Sequence, residues 1–220
     1  MSRSRIRVIN PNSNQVVTKA LADALKPLEF VDGPEIICET LDEGPYGIES
    51  QADADSVIMP LRRLVEGDKR SAAFVIACYS DPGLHACREA TERPVFGIAE
   101  CGVLTALSRA ESFGVIAIGQ RSIRRHIRYL RQMQLMDRMV AERPINMSVA
   151  ETASGDAAFE RMMEVGRVLK DEDGAQAVVM GCAGMARHRA PLEQALGVPV
   201  IDPTQAAVAM ALGAVRFAQH

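Results

Sequence analysis

Short apolar runs alternate along the chain with longer segments whose apolar residues recur every three or four positions. Runs such as 72–77 and 177–181 are bounded by turn-forming residues, which is typical of buried strands. Between such runs, spacings like that of Ile123, Ile127 and Leu130 indicate amphipathic helices. Strands and helices therefore alternate throughout, which predicts parallel βαβ units with right-handed crossovers.

The individual elements can be placed by their apolar positions and by the turn residues that flank them. The strands are predicted at 6–9, 36–38, 72–77, 94–98, 113–119, 145–149, 177–181 and 199–201. The helices are predicted at about 16–25 and 48–66, after Pro82, through Leu104 and Leu107, through Ile123 and Leu130, at 157–169, from Cys182 to about 196, and at 205–217.

The second half of the chain repeats the order of the first. Cys78 and Cys182 are 104 residues apart, and Pro94 and Pro199, each opening a short strand, are 105 apart. Each half is roughly βαβαβαβα, with its cysteine after the third strand. This order predicts an α/β fold of two pseudosymmetric lobes, each a parallel sheet flanked by helices, with the active site in the cleft between them.

The repeat also sets the expected lobe boundaries. Residues 1–111 form lobe 1, which carries Cys78, and residues 112–202 form lobe 2, which carries Cys182. The C-terminal helix, 203–220, is expected to pack back on lobe 1. A pseudo-twofold axis between the lobes would bring the two cysteines to face each other.

Each of these cysteines is predicted where a strand gives way to a helix. After Cys78, Asp81 suits a helix N-cap and Pro82 the first helical position. The carboxyl edge of an open α/β sheet is where ligands bind, and a helix N-terminus lowers the pKa of a nearby thiol. A thiolate and a thiol on opposite faces of a substrate could remove a proton from a carbon and return one to the other face.

This chemistry requires a carbon acid next to a carbonyl and hydrogen-bond donors for the enolate oxygen. Residues that follow the first, third and seventh strands are placed to supply these hydrogen-bond donors: Asn12, Ser80, Ala183 and Gly184. Asn12 would equally suit a cap of the first helix. The other cysteines, Cys38, Cys87 and Cys101, are interpreted as packing residues, and a lone buried cysteine is usually a small apolar residue.

Composition narrows the possible functions. Of 220 residues, 48% are hydrophobic and 24% charged, which is ordinary for a globular domain. A net charge of −3 and an aromatic content of 4% give no support for nucleic-acid binding. The apolar runs are far shorter than the ~18–20 residues of a membrane span. Five cysteines without a secretory signal indicate free thiols, so we expect a cytoplasmic protein acting on a small molecule.

No cofactor or metal is expected. The four histidines show no metal-ligand spacing, and neither CxxC nor HExxH occurs. There is also no GxGxxG or P-loop sequence for a nucleotide. Seven arginines are predicted to form a solvated helix face that could serve a subunit contact, in preference to an anion site: Arg121, Arg124, Arg125, Arg128, Arg131, Arg138 and Arg143.

Three motifs, at 9–13, 77–84 and 181–185, resemble the hydantoin/allantoin racemase group of the aspartate/glutamate racemase superfamily. The segment 44–49 also resembles a loop of that family. The resemblance covers essentially the whole chain. It implies racemisation by two cysteines without a cofactor, two pseudosymmetric lobes and a homo-oligomer. It further implies a substituent pocket shaped by three side chains: Tyr46, Ile48 and Tyr79.

Two positions depart from the pattern of the hydantoin racemases. That pattern has adjacent threonines at the end of the fifth strand, where this chain has Ala117 and Ile118, and Gly or Asp where this chain has Ser80. Both positions lie where a ring substrate would be held, so they bear on the choice of substrate.

The leading hypothesis is a cofactor-independent racemase for a hydantoin-like cyclic amide, either a 5-substituted hydantoin or allantoin. Cys78 and Cys182 would be its catalytic acid–base pair. Two enzymatic alternatives belong to the same superfamily: a maleate-isomerase-like enzyme in which one cysteine attacks covalently, and an amino-acid racemase. A third alternative is a small-molecule-binding protein without turnover on the same scaffold.

Overall fold

The computed structural model describes residues 3–153 and 157–218, which contain two parallel four-stranded sheets. The first sheet has the spatial order β2-β1-β3-β4, with strands β1 (Arg5–Asn10), β2 (Glu35–Thr40), β3 (Ser71–Ile76) and β4 (Val95–Gly97). The second has the order β6-β5-β7-β8, with strands β5 (Phe113–Ala117), β6 (Met139–Pro144), β7 (Ala177–Met180) and β8 (Val200–Ile201). The identical strand order confirms the predicted fold of two similar parallel sheets.

Helices connect the strands and flank the sheets. In the first half they are α1 (Gln15–Leu25), α2 (Gln51–Ser56), α3 (Ile58–Gly67), α4 (Leu84–Glu89) and α5 (Ile98–Arg109). In the second half they are α6 (Gln120–Gln132), α7 (Val149–Ala153), α8 (Ala157–Asp171), α9 (Arg189–Leu196) and α10 (Pro203–Phe217). Short 3₁₀ helices cover Lys26–Leu28, Met136–Arg138 and Ala183–His188.

The central strands are the most apolar and the most buried. Every residue of β5 and β7 is buried, whereas the edge strands β2 and β6 are largely half-exposed. Continuous apolar strands are expected in a parallel sheet, because helices cover both of its faces. One apolar cluster runs from Val8 and Val75 in the first sheet to Val115 and Val179 in the second, so the two sheets share a core.

Helix α10 crosses from the second sheet to the first. It begins directly after β8 and packs against β1, β3 and β4 as well as α5. A Cβ added at Gly102 of α5 would lie 2.8 Å from Pro203 Cβ, so the two helices approach closely there. The division into lobes 1–111 and 112–202 stays a prediction, and residues 219–220 of the predicted last helix lie outside the described residues.

The sixth strand lies earlier than the sequence indicated. It occupies Met139–Pro144, where Glu142 and Arg143 interrupt the apolar pattern, because an edge strand does not need to be apolar on both faces. The predicted strand at 145–149 does not form, because Asn146 adopts the left-handed backbone region at φ 56°. Ile145 still bonds to the end of β5, since its N–H donates to the Ala117 carbonyl at 2.8 Å. Val149 then begins helix α7.

Two helix predictions also change. The helix predicted at 48–66 begins only at Gln51, where Ser50 and Asp53 form a capping box, and it is interrupted at Val57. Asp81 does not cap the helix that follows it.

The Asp81 carboxylate instead caps α5, accepting the N–H groups of Ala99 and Glu100 at 2.9 Å each. Two backbone donors at a helix N-terminus are a favourable site for a carboxylate. The Asp81 carboxylate therefore connects the loop after Cys78 to the N-terminus of α5, which follows β4 along the chain.

This cap generates a stability prediction at Gly97. A Cβ at that position would lie 2.3 Å from the Asp81 carboxylate, so Gly97→Ala must displace the cap. We expect the free energy of unfolding to fall by about 1–3 kcal/mol, the cost of losing buried hydrogen bonds. Urea unfolding followed by circular dichroism measures the difference.

The matched control is Gly213→Ala in α10, where an added Cβ meets no atom of the described residues within 4 Å. Alanine is the better helix former by about 0.5–1 kcal/mol, so this variant should be as stable as the parent chain or slightly more stable. Equal stability of the Gly97→Ala protein and the parent would contradict the role given to the Asp81 cap.

Candidate active site

Cys78 lies just beyond the end of β3, at the carboxyl edge of the first sheet. Ala77 N–H still donates to the Ile9 carbonyl at 2.8 Å, so the chain leaves the sheet at Cys78. A turn follows, in which Asp81 N–H donates to the Cys78 carbonyl at 2.9 Å. The same turn directs the Ser80 N–H at the Cys78 sulfur. The thiol thus sits beside a backbone donor at the rim of the sheet.

Cys182 occupies the equivalent place beyond β7. Gly181 N–H donates to the Ile116 carbonyl at 2.8 Å, and a Cβ on Gly181 would lie 2.6 Å from that oxygen. Glycine is therefore required for the chain to leave the sheet so close to its neighbour. Cys182 is the N-cap residue of the 3₁₀ helix Ala183–His188, without a side-chain cap hydrogen bond, and the Gly184 N–H favours the charged form of its thiol.

Both cysteines line one pocket, which is formed by residues from both lobes. It encloses about 400 Å³, including the space open to solvent. Its wall consists of Asn12, Val17, Ile48, Ala77, Cys78, Tyr79, Ser80, Ile118, Ser122, Arg125, His126, Val149, Gly181, Cys182, Ala183 and Gly184. The strand-to-helix junctions of two separate sheets therefore converge on a single pocket that contains both cysteines.

The pocket contains most of the side chains predicted to contact the substrate. Six of them lie in its wall: Asn12, Ile48, Tyr79, Ser80, Ala183 and Gly184. Tyr46 does not, because its side chain is 66% exposed on the outer part of the loop that carries Ile48. Ile118, which departs from the hydantoin racemase pattern, also lies in the pocket wall. Ala117, the neighbouring departure, is fully buried and does not line the pocket.

Burial favours the protonated form of both thiols, of which Cys182 is buried and Cys78 half-buried. It raises the pKa of Cys78 to about 12, and the Ser80 N–H and the Arg125 guanidinium oppose this effect only in part. It also raises the pKa of Cys182, against the opposing effects of the Gly184 N–H and the Thr152 hydroxyl. The proximity of Cys182 raises the pKa of Cys78 as well, because two thiolates would repel each other. The expected lowering by helix N-termini is therefore outweighed by burial.

Asn12 has a fixed orientation that turns its amide group toward the pocket. Asn14 N–H donates to Asn12 Oδ1 at 3.0 Å, and Asn10 Nδ2 donates to the same oxygen at 3.0 Å. These bonds identify Oδ1, since an N–H cannot donate to an amide NH₂. Asn12 Nδ2 is left as a donor at the pocket wall, while the helix N-cap is Asn14. Asn12 therefore does not cap α1 itself.

Thr152 supports Cys182 from helix α7. Its Oγ1 lies 3.7 Å from the Cys182 sulfur and donates to the Val149 carbonyl at 2.7 Å. While that proton is directed at Val149, the thiol is the donor to Thr152. A hydroxyl can rotate, so Thr152 can also donate to a thiolate. The Thr152 hydroxyl can therefore form a hydrogen bond with Cys182 in either protonation state.

A loop from lobe 1 closes one side of the pocket. Ser13 N–H donates to the Pro45 carbonyl at 2.9 Å, and a Cβ on Gly44 would lie 2.2 Å from the Pro11 carbonyl oxygen. The loop is thus held against the end of β1. Beyond it, Glu49 reaches lobe 2, where its carboxylate accepts the Val149 N–H at 3.2 Å.

Helix α6 contributes residues of the pocket wall that the sequence analysis missed. Arg125 and His126 are 8% and 4% exposed and line the pocket with Ser122. The predicted solvated arginine face is therefore wrong at Arg125, and also at Arg138 and Arg143, which lie outside α6 in a 3₁₀ helix and in β6. His126 Nδ1 bonds to Glu142, and its ring meets the Tyr79 ring edge-on at 4.9 Å. A signal was present, because Ser122 and His126 share the helix face of the apolar Leu130.

The described residues offer no evident place for a metal ion or a membrane span. In 3–153 and 157–218, no group of three or more His, Cys, Asp or Glu is arranged to hold a metal. No helix among these residues is long and apolar enough to cross a bilayer. All five cysteines are free thiols.

Known proteins share both the sequence and the fold. Residues 6–211 match the family model described as Asp/Glu/Hydantoin racemase. Hydantoin racemase of Paenarthrobacter aurescens is 37% identical over 212 residues, covering 94% of this chain and 89% of the relative. Hydantoin racemase of Pseudomonas sp. (strain NS671) is 36% identical over 210 residues, covering 94% and 84%.

Among solved structures, allantoin racemase from Klebsiella pneumoniae superposes with a TM-score of 0.93 at 30% identity, covering 98% of this chain and 89% of that one. The similarity thus extends over both sheets and over the loops that form the pocket. The chain belongs to the Asp/Glu/hydantoin racemase family and is an isomerase of the racemase type.

Proposed function

We propose that the protein racemises a hydantoin-like cyclic amide, a 5-substituted hydantoin or allantoin, by proton transfer between Cys78 and Cys182 without a cofactor. The observation that carries the proposal is that both thiols, at equivalent positions of two similar sheets, line one pocket. The relatives named hydantoin racemase and the neighbour named allantoin racemase support a ring substrate.

The reaction needs one thiolate and one thiol on opposite faces of the substrate carbon. The thiolate takes the C5 proton, so the C5–H bond breaks and an S–H bond forms. The electron pair moves into the neighbouring carbonyl and gives an enolate. The opposite thiol then protonates C5 from the other face, which breaks its S–H bond and leaves it as the thiolate. The atoms balance, the stereocentre is inverted, and the two cysteines have exchanged protonation states.

Donors around the pocket stabilise the charge that develops during this transfer. Asn12 Nδ2 is oriented to donate to the enolate oxygen, with Ala183 at the opposite strand end. The backbone N–H groups of Ser80 and Gly184 stabilise the thiolates of Cys78 and Cys182, because each favours the charged form of its neighbouring cysteine. Preorganised donors of this type contribute strongly to catalysis in a site that excludes water.

The substituent at C5 meets the apolar part of the wall. Val17, Ile48, Ile118 and Val149 supply this surface, and Tyr79 adds an aromatic ring. Tyr46 lies on the same loop as Ile48, and its contact with the substrate stays a prediction. A cytoplasmic location and a homo-oligomeric state, expected from the sequence, likewise remain part of the proposal.

We expect Cys78→Ser and Cys182→Ser each to lower the rate of racemisation by at least about 10²-fold, the usual contribution of a positioned acid or base. A serine hydroxyl is too weak an acid to be ionised by the same surroundings. The measurement follows one enantiomer of several 5-substituted hydantoins and of allantoin, by optical rotation and by loss of the C5–H proton signal in D₂O.

Cys38→Ser is the matched control, because Cys38 is a free thiol outside the pocket wall. It should retain the parent rate. Full activity in either pocket variant would contradict the two-cysteine mechanism. A thiol adduct of substrate mass in the parent enzyme would instead indicate covalent attack by one cysteine.

The raised pKa values also predict how activity depends on pH. An acid whose pKa is raised to about 12 is almost fully protonated at neutral pH, so its reactive thiolate is scarce and increases with pH. We expect kcat/KM to rise about tenfold per pH unit between about pH 6 and pH 8, as one deprotonation requires. Uncatalysed racemisation, which also rises with pH, is subtracted at each point. A flat profile over this interval would show that a thiolate is already formed and would contradict the effect of burial.

A further inference from the structure

Arg125 is a buried arginine that forms no ion pair with a carboxylate of the described residues. Its side chain is 8% exposed, yet its hydrogen bonds go only to neutral oxygens. Nη1 donates to the Glu49 carbonyl at 3.2 Å and to the Arg121 carbonyl at 3.4 Å, and Nε donates to Ser80 Oγ at 3.4 Å. Nη2 has no hydrogen-bond partner among residues 3–153 and 157–218.

Other arginines of this chain form ion pairs with carboxylates. Arg88 Nη2 meets the Glu100 carboxylate at 2.8 Å, and Arg7 Nη1 meets Asp68 at 2.8 Å. Both of these arginines are more exposed than Arg125. A buried charge without a counter-ion is costly, so a position that keeps one is expected to serve an external partner.

The surroundings of Arg125 leave its charge available to a ligand. No Asp or Glu occurs in the described wall of the pocket. Asp53 and Glu142 are near enough to favour the charged form, and Arg128 disfavours it, but none of them makes a contact. Burial lowers the pKa of Arg125, although a guanidinium stays protonated in proteins. The apolar wall reduces screening, which strengthens the attraction of an anion.

We infer that Arg125 binds a carboxylate of the substrate, so that the pocket selects a hydantoin whose 5-substituent ends in a carboxylate over neutral hydantoins. The inference rests on the proposed function and specifies its substrate class. A planar guanidinium binds a carboxylate through two parallel hydrogen bonds.

The position of Arg125 suits the end of a substituent. It lies in α6 of the second half, and its side chain reaches Ser80 beside Cys78 and the Glu49 carbonyl next to Ile48. A ring held between the cysteines would place its C5 substituent along Ile48 toward the guanidinium. A second role is also open to this charge, because Arg125 lowers the pKa of Cys78 and so favours its thiolate. The test must separate the two roles.

A pair of ligands that differ only in charge makes this separation: 5-(2-carboxyethyl)hydantoin and its amide, 5-(2-carbamoylethyl)hydantoin. We measure the affinity of each by calorimetry and its kcat/KM by racemisation, for the parent chain and for Arg125→Gln. The parent should show at least about 30-fold higher affinity and kcat/KM for the carboxylate than for the amide. Arg125→Gln should lose this preference and bind the amide with the affinity of the parent. Arg125→Lys keeps the positive charge but cannot donate two parallel hydrogen bonds. Its preference for the carboxylate should therefore lie between those of the parent and Arg125→Gln.

Arg124→Gln is the matched control, since Arg124 is exposed on the same helix. It should keep the preference of the parent. Thermal unfolding by circular dichroism verifies that each variant is folded. Equal loss of activity on both ligands in Arg125→Gln would show that Arg125 acts only on Cys78.

Equal affinity of the parent for both ligands, or binding of neither, would overturn the inference. Racemisation of neutral hydantoins by the parent would in that case leave the proposed function intact. Selective binding of the carboxylate without racemisation would support the anion site while contradicting the proposed function.

Discussion

The apolar core shared by the two sheets is the constraint on which the candidate site depends. Cys78 and Cys182 belong to different halves of the chain and meet only because both central strands end at the same buried region. Helix α5 packs against β7 and α10, and α10 packs against β3, so neither sheet can shift without the other. The close approach at Gly102 and Pro203 shows how little space separates these helices. The placement of both thiols in one pocket thus follows from ordinary core packing.

The same burial creates the chemical problem of the site. It raises the pKa values of both thiols, so the largely apolar wall disfavours the thiolate that the proposed reaction needs to begin. Backbone donors beside each sulfur, Thr152 at Cys182 and Arg125 near Cys78 act against that effect. Two thiols in similar surroundings suit the proposed reaction, which must run in both directions, because each cysteine would in turn be acid and base.

Much of this arrangement was predictable from the sequence, and the errors have physical causes. Apolar runs and the spacing of Cys78 and Cys182 predicted the repeated sheets, since central strands must be apolar on both faces. The edge strand at Met139–Pro144 was missed because a half-exposed strand tolerates Glu142 and Arg143. The burial of Arg125 in the pocket wall was also missed, since the sequence alone does not show which arginine of a basic helix faces the protein interior. The exposed place of Tyr46 depends on how its loop is held, which local sequence does not determine.

The central claim is that two opposed cysteines, not one, move the proton, and the fate of solvent deuterium tests it most directly. One enantiomer of a racemised substrate is incubated in D₂O, and both enantiomers are separated at low conversion and analysed by mass. Two-base transfer predicts deuterium at C5 in the product enantiomer and almost none in the remaining substrate, because each face has its own acid. Deuterium appearing equally in both enantiomers from the start would show that a single group serves both faces and would contradict the account.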